Sequence, residues 1–300
     1  MAKEAHTALL LAAPGSQTLT DDLVAGIASA LAEPGARTWL APGEAVEIPM
    51  MCHSAERHPL VTMLKSRIGR QEIDVAVVPA RNRRKKLLIA DMDSTLIGQE
   101  CIDELAEIAG RRAEVAAITE RSMRGEIDFK SSLTERVGLL RGLPEKVLGR
   151  VAESRITLNP GAMALSSTMR RHGATTVIVS GGFTVFTAHV RARAGFDRDQ
   201  ANRLEVIDGQ LTGRLIPPIL DRDAKAQTLT EIASELGIEP ADVIAVGDGA
   251  NDIGMIRAAG LGVAYRGKPI LRAAADVEID HATLTALLYL QGYRVSEISE

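Results

Sequence analysis

A repeated pairing of a short apolar segment with a polar turn limits this chain's fold more than any other feature. LLIADMDST (residues 87–95), TTVIVSGG (175–182) and VIAVGDG (243–249) each run from branched aliphatic residues straight into acidic, hydroxyl or glycine residues, and LGVAY (261–265) is a fourth apolar run. Runs of this length and β-branched content read as strands buried on both faces. Helical stretches follow two of them, DAKAQTLTEIASELG (223–237) and NDIGMIRAAG (251–260). The expectation is an α/β fold, a Rossmann-like parallel sheet with helices on both faces. Ligands then bind beyond the carboxyl ends of the strands, where the polar turns lie.

Two regions depart from that alternation. Residues 1–82 read as a small α+β domain. HTALLLAAP (6–14) is a strand ending at Pro14-Gly15; its apolar part sits at the short limit for a leader-peptide core. A helix follows over residues 21–31, capped by Thr20 or Asp21. One or two strands lie between Arg37 and Ile48, a helix over 59–68 and a strand over 74–78. No chemical constellation stands out there. The basic run RNRRKK (81–86) reads as a solvated linker. From Gly98 to about Arg155 the patterns are helical only, with Ile102, Leu105, Ala106 and Ala109 on one face of the first helix. A helical cap inserted at about 98–160, within a domain of residues 83–300, would cover the strand ends like a lid.

Composition removes several classes. The net charge is −4 and the pI about 5.9, so no global basic field draws nucleic acid or a membrane surface. No apolar run approaches the ~18 residues of a membrane helix. Cys52 and Cys101 make neither a disulfide framework nor a CxxC site, which suits a reducing cytoplasm. The six histidines lack zinc-site spacing.

Taken singly, the strand-end motifs are ambiguous. Asp91-Met92-Asp93-Ser94-Thr95 sets two carboxylates where each raises the other's pKa. Yet a lone Asp-x-Asp is common, and Asp221-Arg222-Asp223 is another in this chain. Ser180-Gly181-Gly182 either offers backbone N–H groups to an anion at a helix start or is a plain strand-to-helix turn. Lys225 alone reads as a surface lysine. Gly247-Asp248-Gly249-Ala250-Asn251-Asp252 is either a hard-cation site or a capped turn. Gly262 to Pro269 nearly spells a P-loop, but Pro269 stands where that motif needs a hydroxyl, so Gly267-Lys268-Pro269 reads as a strand exit and a helix start. Gly260-x-Gly262 lacks the third glycine of a dinucleotide site, with Tyr265 in its place.

The joint order is more specific: strand-DxDST, strand-SGG, Lys, strand-GDGxND. In that order, with ADMDSTLIGQECIDELA, RSMRGEIDF, SLTERV, VSGGF and GDGANDIGM, residues 85–292 resemble the haloacid-dehalogenase (HAD) superfamily of aspartyl phosphotransferases, and within it the phosphoserine phosphatases. The resemblance implies Mg²⁺-dependent hydrolysis of O-phosphoserine. In that scheme Asp91 is the nucleophile and Asp93 the general acid and base. Asp91, the backbone oxygen of Asp93, Asp248 and, through water, Asp252 hold the metal. Ser180, Gly181, Gly182, Lys225 and Asn251 surround the phosphoryl group. Glu100 takes the substrate ammonium, Arg136 its carboxylate, and Met123 and Phe129 wall the pocket. Residues 1–82 would be an ACT-like module, binding an amino acid or mediating a homodimer. A phosphatase or phosphotransferase for another small phosphomonoester, such as phosphohomoserine, and a non-catalytic amino-acid sensor on the same fold are the alternatives.

Overall fold

The computed structural model describes residues 3–220 and 222–299, the side chains of Met123 and Arg222 excepted. Its first part is β1 (Glu4–Ala12), α1 (Asp21–Ala28), β2 (Thr38–Ala41), β3 (Ala45–Cys52), α2 (Arg57–Ile68) and β4 (Ile73–Pro79). The four strands form an antiparallel sheet in the order β2-β3-β1-β4, the β-α-β-β-α-β pattern of split βαβ units. Thr20 caps α1, its hydroxyl accepting from the Leu23 N–H at 3.3 Å. β1 shows no polar alternation because both its faces are covered. Ala8, Leu10 and Ala12 pack with Val24, Ile27 and Leu64 from the two helices, while Leu9 and Leu11 join the core of the second sheet.

The second part opens with β5 (Leu87–Ala90), followed by four helices, α3 (Cys101–Ile108), α4 (Arg112–Met123), α5 (Phe129–Gly138) and α6 (Lys146–Ser154). Next come α7 (Ala162–Arg171), β6 (Thr175–Phe183), α8 (Thr184–Ala194), the hairpin β7 (Arg198–Ile207) and β8 (Gln210–Ile216), and α9 (Arg222–Leu236). The chain ends with β9 (Val243–Gly247), α10 (Ile253–Ala258), β10 (Leu261–Tyr265), α11 (Pro269–Arg272), β11 (Val277–Ile279) and α12 (Ala286–Leu290). The seven strands lie in the order β11-β10-β9-β5-β6-β7-β8, parallel except for β8. All four residues of β5 are buried, as a central strand with helices on both faces requires.

The RNRRKK run is solvated at Arg81, Asn82, Arg84 and Lys86, while Arg83 and Lys85 turn inward. The two sheets bury apolar faces against each other, so the connection between them passes through their seam. Arg83 is mostly covered; it pairs with Glu47 at 2.6 Å and donates to the carbonyls of Leu290 and Tyr289 at the end of α12. Lys85 Nζ donates to the Ala241 carbonyl at 2.7 Å. A guanidinium fork suits this place, since it satisfies several acceptors while its stem stays in apolar surroundings. Across the same seam Asp74, 4% exposed, accepts from the backbone N–H groups of Asp280, His281 and Ala282.

Candidate active site

Strand order explains why distant motifs meet. β9, β5 and β6 are adjacent and parallel, so their carboxyl ends open on one edge of the sheet. Asp91 follows β5, Asp248 follows β9, and Ser180 lies near the end of β6. The Asp91 N–H donates to the Val246 carbonyl at 3.0 Å, which holds the first two strand ends together. Beyond Asp91 the chain leaves the strand in an irregular turn over 92–96, with Ser94 at φ 54°. That turn sends Asp93 back toward the strand ends. Its Oδ1 accepts from the Cys101 N–H at 3.0 Å, and its Oδ2 lies 3.4 Å from the Ser180 hydroxyl.

The Ser-Gly-Gly motif differs from its expected place at a helix start. It forms the end of β6, where the register with β7 breaks between Val179 and Phe183, and α8 begins only at Thr184. The Gly182 N–H donates to Ser180 Oγ at 2.9 Å. Glycine at 182 is required by space: a Cβ there would lie 2.7 Å from Asp93 Oδ2. Gly247 is similarly constrained, since a Cβ would lie 2.4 Å from the Asp252 carboxylate.

Lys225 is not a surface residue. It is 1% exposed and bridges Asp91 Oδ1 at 2.8 Å and Asp252 Oδ1 at 2.6 Å. The other Asp252 oxygen accepts from the N–H groups of Asp248 and Gly249, at 3.1 and 3.0 Å. Oxygens of Asp91, Asp248 and Asp252 lie within 4.8 Å of one another, all three residues buried. An oxygen-only donor set of this kind fits a hard divalent cation. Burial pushes Asp91 well above the ordinary carboxylate range; Asp252 and Asp248 add to the shift and Lys225 opposes it. Burial also raises Asp93, against the hydrogen bonds from Cys101. Burial disfavours the charge on Lys225, but Asp252 and Asp91 outweigh it and hold the ammonium above the usual lysine range.

The helices after β5 close over this edge around a cavity of about 440 Å³. Asp91, Asp93, Glu100, Phe129, Arg136, Ser180, Gly181, Gly182, Asp248 and Asn251 all line it. Lys225 and Asp252 lie behind its wall, reached through Asp91. The ring tip of Phe129 would be 3.1 Å from a Cβ on Gly181, so α5 rests directly on the β6 end. Glu100 accepts from the Ser94 hydroxyl at 2.7 Å and is pushed up to about 7 by burial and then by Asp93. Arg136 does not pair with Glu135, which takes Arg121 instead. The Met123 side chain lies outside the described residues. Asp103, Thr119, Ser122, Ser132 and Lys268 also line the cavity, and sequence reasoning passed over them. For Lys268 a signal existed in the Gly-Lys-Pro tripeptide at a strand exit; for the others, polar residues on amphipathic helices carry no such mark.

Comparison with known proteins gives a consistent picture. The family model described as haloacid dehalogenase-like hydrolase matches residues 88–257. A phosphoserine phosphatase of Streptomyces coelicolor is 41% identical over 288 residues, covering 93% of this chain and 70% of that one. A crystal structure of a HAD-family hydrolase of Salmonella enterica superposes with a TM-score of 0.83 at 30% identity, covering 95% of this chain and 98% of that one. A structure titled as the phospho-aspartyl intermediate analogue of phosphoserine phosphatase is 41% identical with a TM-score of 0.64, covering 69% of this chain and 98% of that one.

Proposed function

This chain belongs to the haloacid dehalogenase-like hydrolase family, and on that premise we propose that it is a phosphoserine phosphatase. It hydrolyses O-phospho-L-serine to L-serine and phosphate, the last step of serine biosynthesis. The observation that carries the reading is the meeting of Asp91, Asp93, Ser180 and Asp248 at adjacent strand ends, under a lid with Glu100, Phe129 and Arg136 in the same cavity.

Asp91 attacks phosphorus as the bond to the serine oxygen breaks, leaving an aspartyl phosphate and splitting one difficult step into two. Asp93, whose raised pKa suits a proton carrier, protonates the departing oxygen. It then takes a proton from the water that attacks the aspartyl phosphate and frees phosphate. Ser180, the Gly181 N–H and Asn251 act on the phosphoryl oxygens, where charge grows toward the transition state, and the Lys225 ammonium adds positive charge from behind Asp91. Asp91, the backbone oxygen of Asp93 and Asp248 would hold Mg²⁺, which supplies the positive charge that lets a carboxylate approach a phosphate. Asp252, with both oxygens engaged by protein donors, suits contact through water. Glu100 takes the substrate ammonium and Arg136 the carboxylate, and Phe129 excludes water.

We assign residues 83–300 to the phosphatase domain with its cap at about 98–160, and residues 1–82 to an ACT-like domain whose partner is an amino acid or a second copy of the chain. Both cysteines are free and buried, in keeping with a cytoplasmic protein. The test is phosphate release from O-phosphoserine, phosphothreonine and phosphohomoserine. The reading expects preference for O-phosphoserine, loss on chelation and recovery with Mg²⁺. Arg136→Ala should raise KM for O-phosphoserine about tenfold or more and leave p-nitrophenyl phosphate, which lacks a carboxylate, unaffected. Release that survives chelation, or an unchanged KM, sinks the corresponding part of the scheme.

A further inference from the structure

The carboxylates at the strand ends are tied in different ways. Asp252 has both oxygens engaged, Oδ1 by Lys225 and Oδ2 by two backbone N–H groups. The contacts to Asp91 fall on one oxygen: Lys225 and the Met92 N–H both reach Oδ1. Asp248 is held by Lys268, whose ammonium is 3.1 Å from Oδ2. A second bond joins the same two residues through the main chain, the Lys268 N–H donating to the Asp248 carbonyl at 2.7 Å. Lys268 is itself fixed from behind. Pro269 occupies the first turn of α11, and Arg272 Nε donates to the Gly267 carbonyl at 2.5 Å.

We propose that Lys268 is a positioning residue for the metal site, clamping Asp248 by Oδ2 so that Oδ1 is presented to the divalent cation. The proposal rests on the phosphatase reading and gives a role to a cavity-lining residue that has none in it. A carboxylate rotates about its Cα–Cβ and Cβ–Cγ bonds unless a neighbour holds it, and ligand carboxylates held by an outer partner bind metal more tightly. Lys225 holds one oxygen of Asp91 in this way from below, and Lys268 does the same for Asp248 from the cavity side. A competing effect has the opposite sign. A cation beside a metal ligand also repels the metal, so a lysine that merely occupies Asp248 would weaken metal binding, and its removal would strengthen it.

The experiment measures Mg²⁺ and Mn²⁺ affinity of the substrate-free protein by calorimetry, for wild type, Lys268→Met and Lys268→Arg. Wild-type hydrolysis of O-phosphoserine with Mg²⁺ is the control; its absence would defeat the phosphatase reading, independent of Lys268. The proposal expects Lys268→Met to bind both ions about tenfold or more weakly, with Lys268→Arg much nearer wild type. Half-activation should require correspondingly more Mg²⁺, while kcat at saturating Mg²⁺ is largely kept. Thermal unfolding in chelator checks the fold, which should persist because the Lys268 side chain is half exposed. Unchanged or tighter metal binding in Lys268→Met overturns the proposal. So does a loss of kcat at saturating Mg²⁺ with unchanged metal affinity, which would place Lys268 on the substrate instead.

Discussion

Two regions of this molecule bury carboxylates, and they do so by opposite means. In the seam between the sheets, Asp74 is surrounded by backbone N–H donors from residues 280–282. These neutral dipoles offset part of the cost of burial, which still holds its carboxyl above the ordinary range. At the strand ends, Asp91, Asp248 and Asp252 lie together with Asp93 close by, and the lysines that touch them are Lys225 and Lys268. Four acids against two ammonium groups leave an excess of negative charge that a divalent cation would cancel. Burial alone therefore does not mark a functional acid. The mark is burial among like charges with too few donors.

Mutations at the two regions should have opposite consequences. Asp91→Asn should cost the largest effect, at least about a thousandfold in kcat, with the fold retained, as read by turnover and circular dichroism. Comparable turnover in that variant would remove the distinction between the two regions. Asp74→Ala should act the other way. It removes the acceptor of three backbone N–H groups, the one on Ala282 buried, and urea unfolding should report a loss of about 2 kcal/mol, while kcat and KM stay near wild type at 25 °C. A smaller effect comes from Glu100, which the cavity pushes up to about 7. Below that pH the carboxyl is neutral, and above it the carboxylate can pair with the substrate ammonium. KM for O-phosphoserine should therefore fall about tenfold from pH 6 to pH 8, and Glu100→Gln should flatten that component. A profile in Glu100→Gln identical to wild type would show that another group governs it.

Much of this was legible in the letters. The strands at 87–90, 175–183, 243–247 and 261–265 stand where β-branched runs precede polar turns. The four helices after β5 follow the helical patterns from Cys101 onward. Three features were read incompletely, each for one reason. RNRRKK looked solvated throughout, and Arg83 and Lys85 are not, because charge is visible in sequence and the carbonyls of Tyr289, Leu290 and Ala241 that receive them are not. Ser-Gly-Gly looked like a turn because glycine is common there, whereas here it relieves contact with Asp93. Lys268 was set aside with a rejected P-loop, although it is the cation on Asp248.

The sequence alone determined which segments alternate as strands and helices, and that the polar residues fall at strand ends, because those properties arise from neighbours a few positions apart. The folded arrangement alone settles which oxygens of these carboxylates are tied. Such partners as Lys225 for Asp91 and Lys268 for Asp248 come from far along the chain, and only the order of the parallel strands brings them within hydrogen-bonding reach.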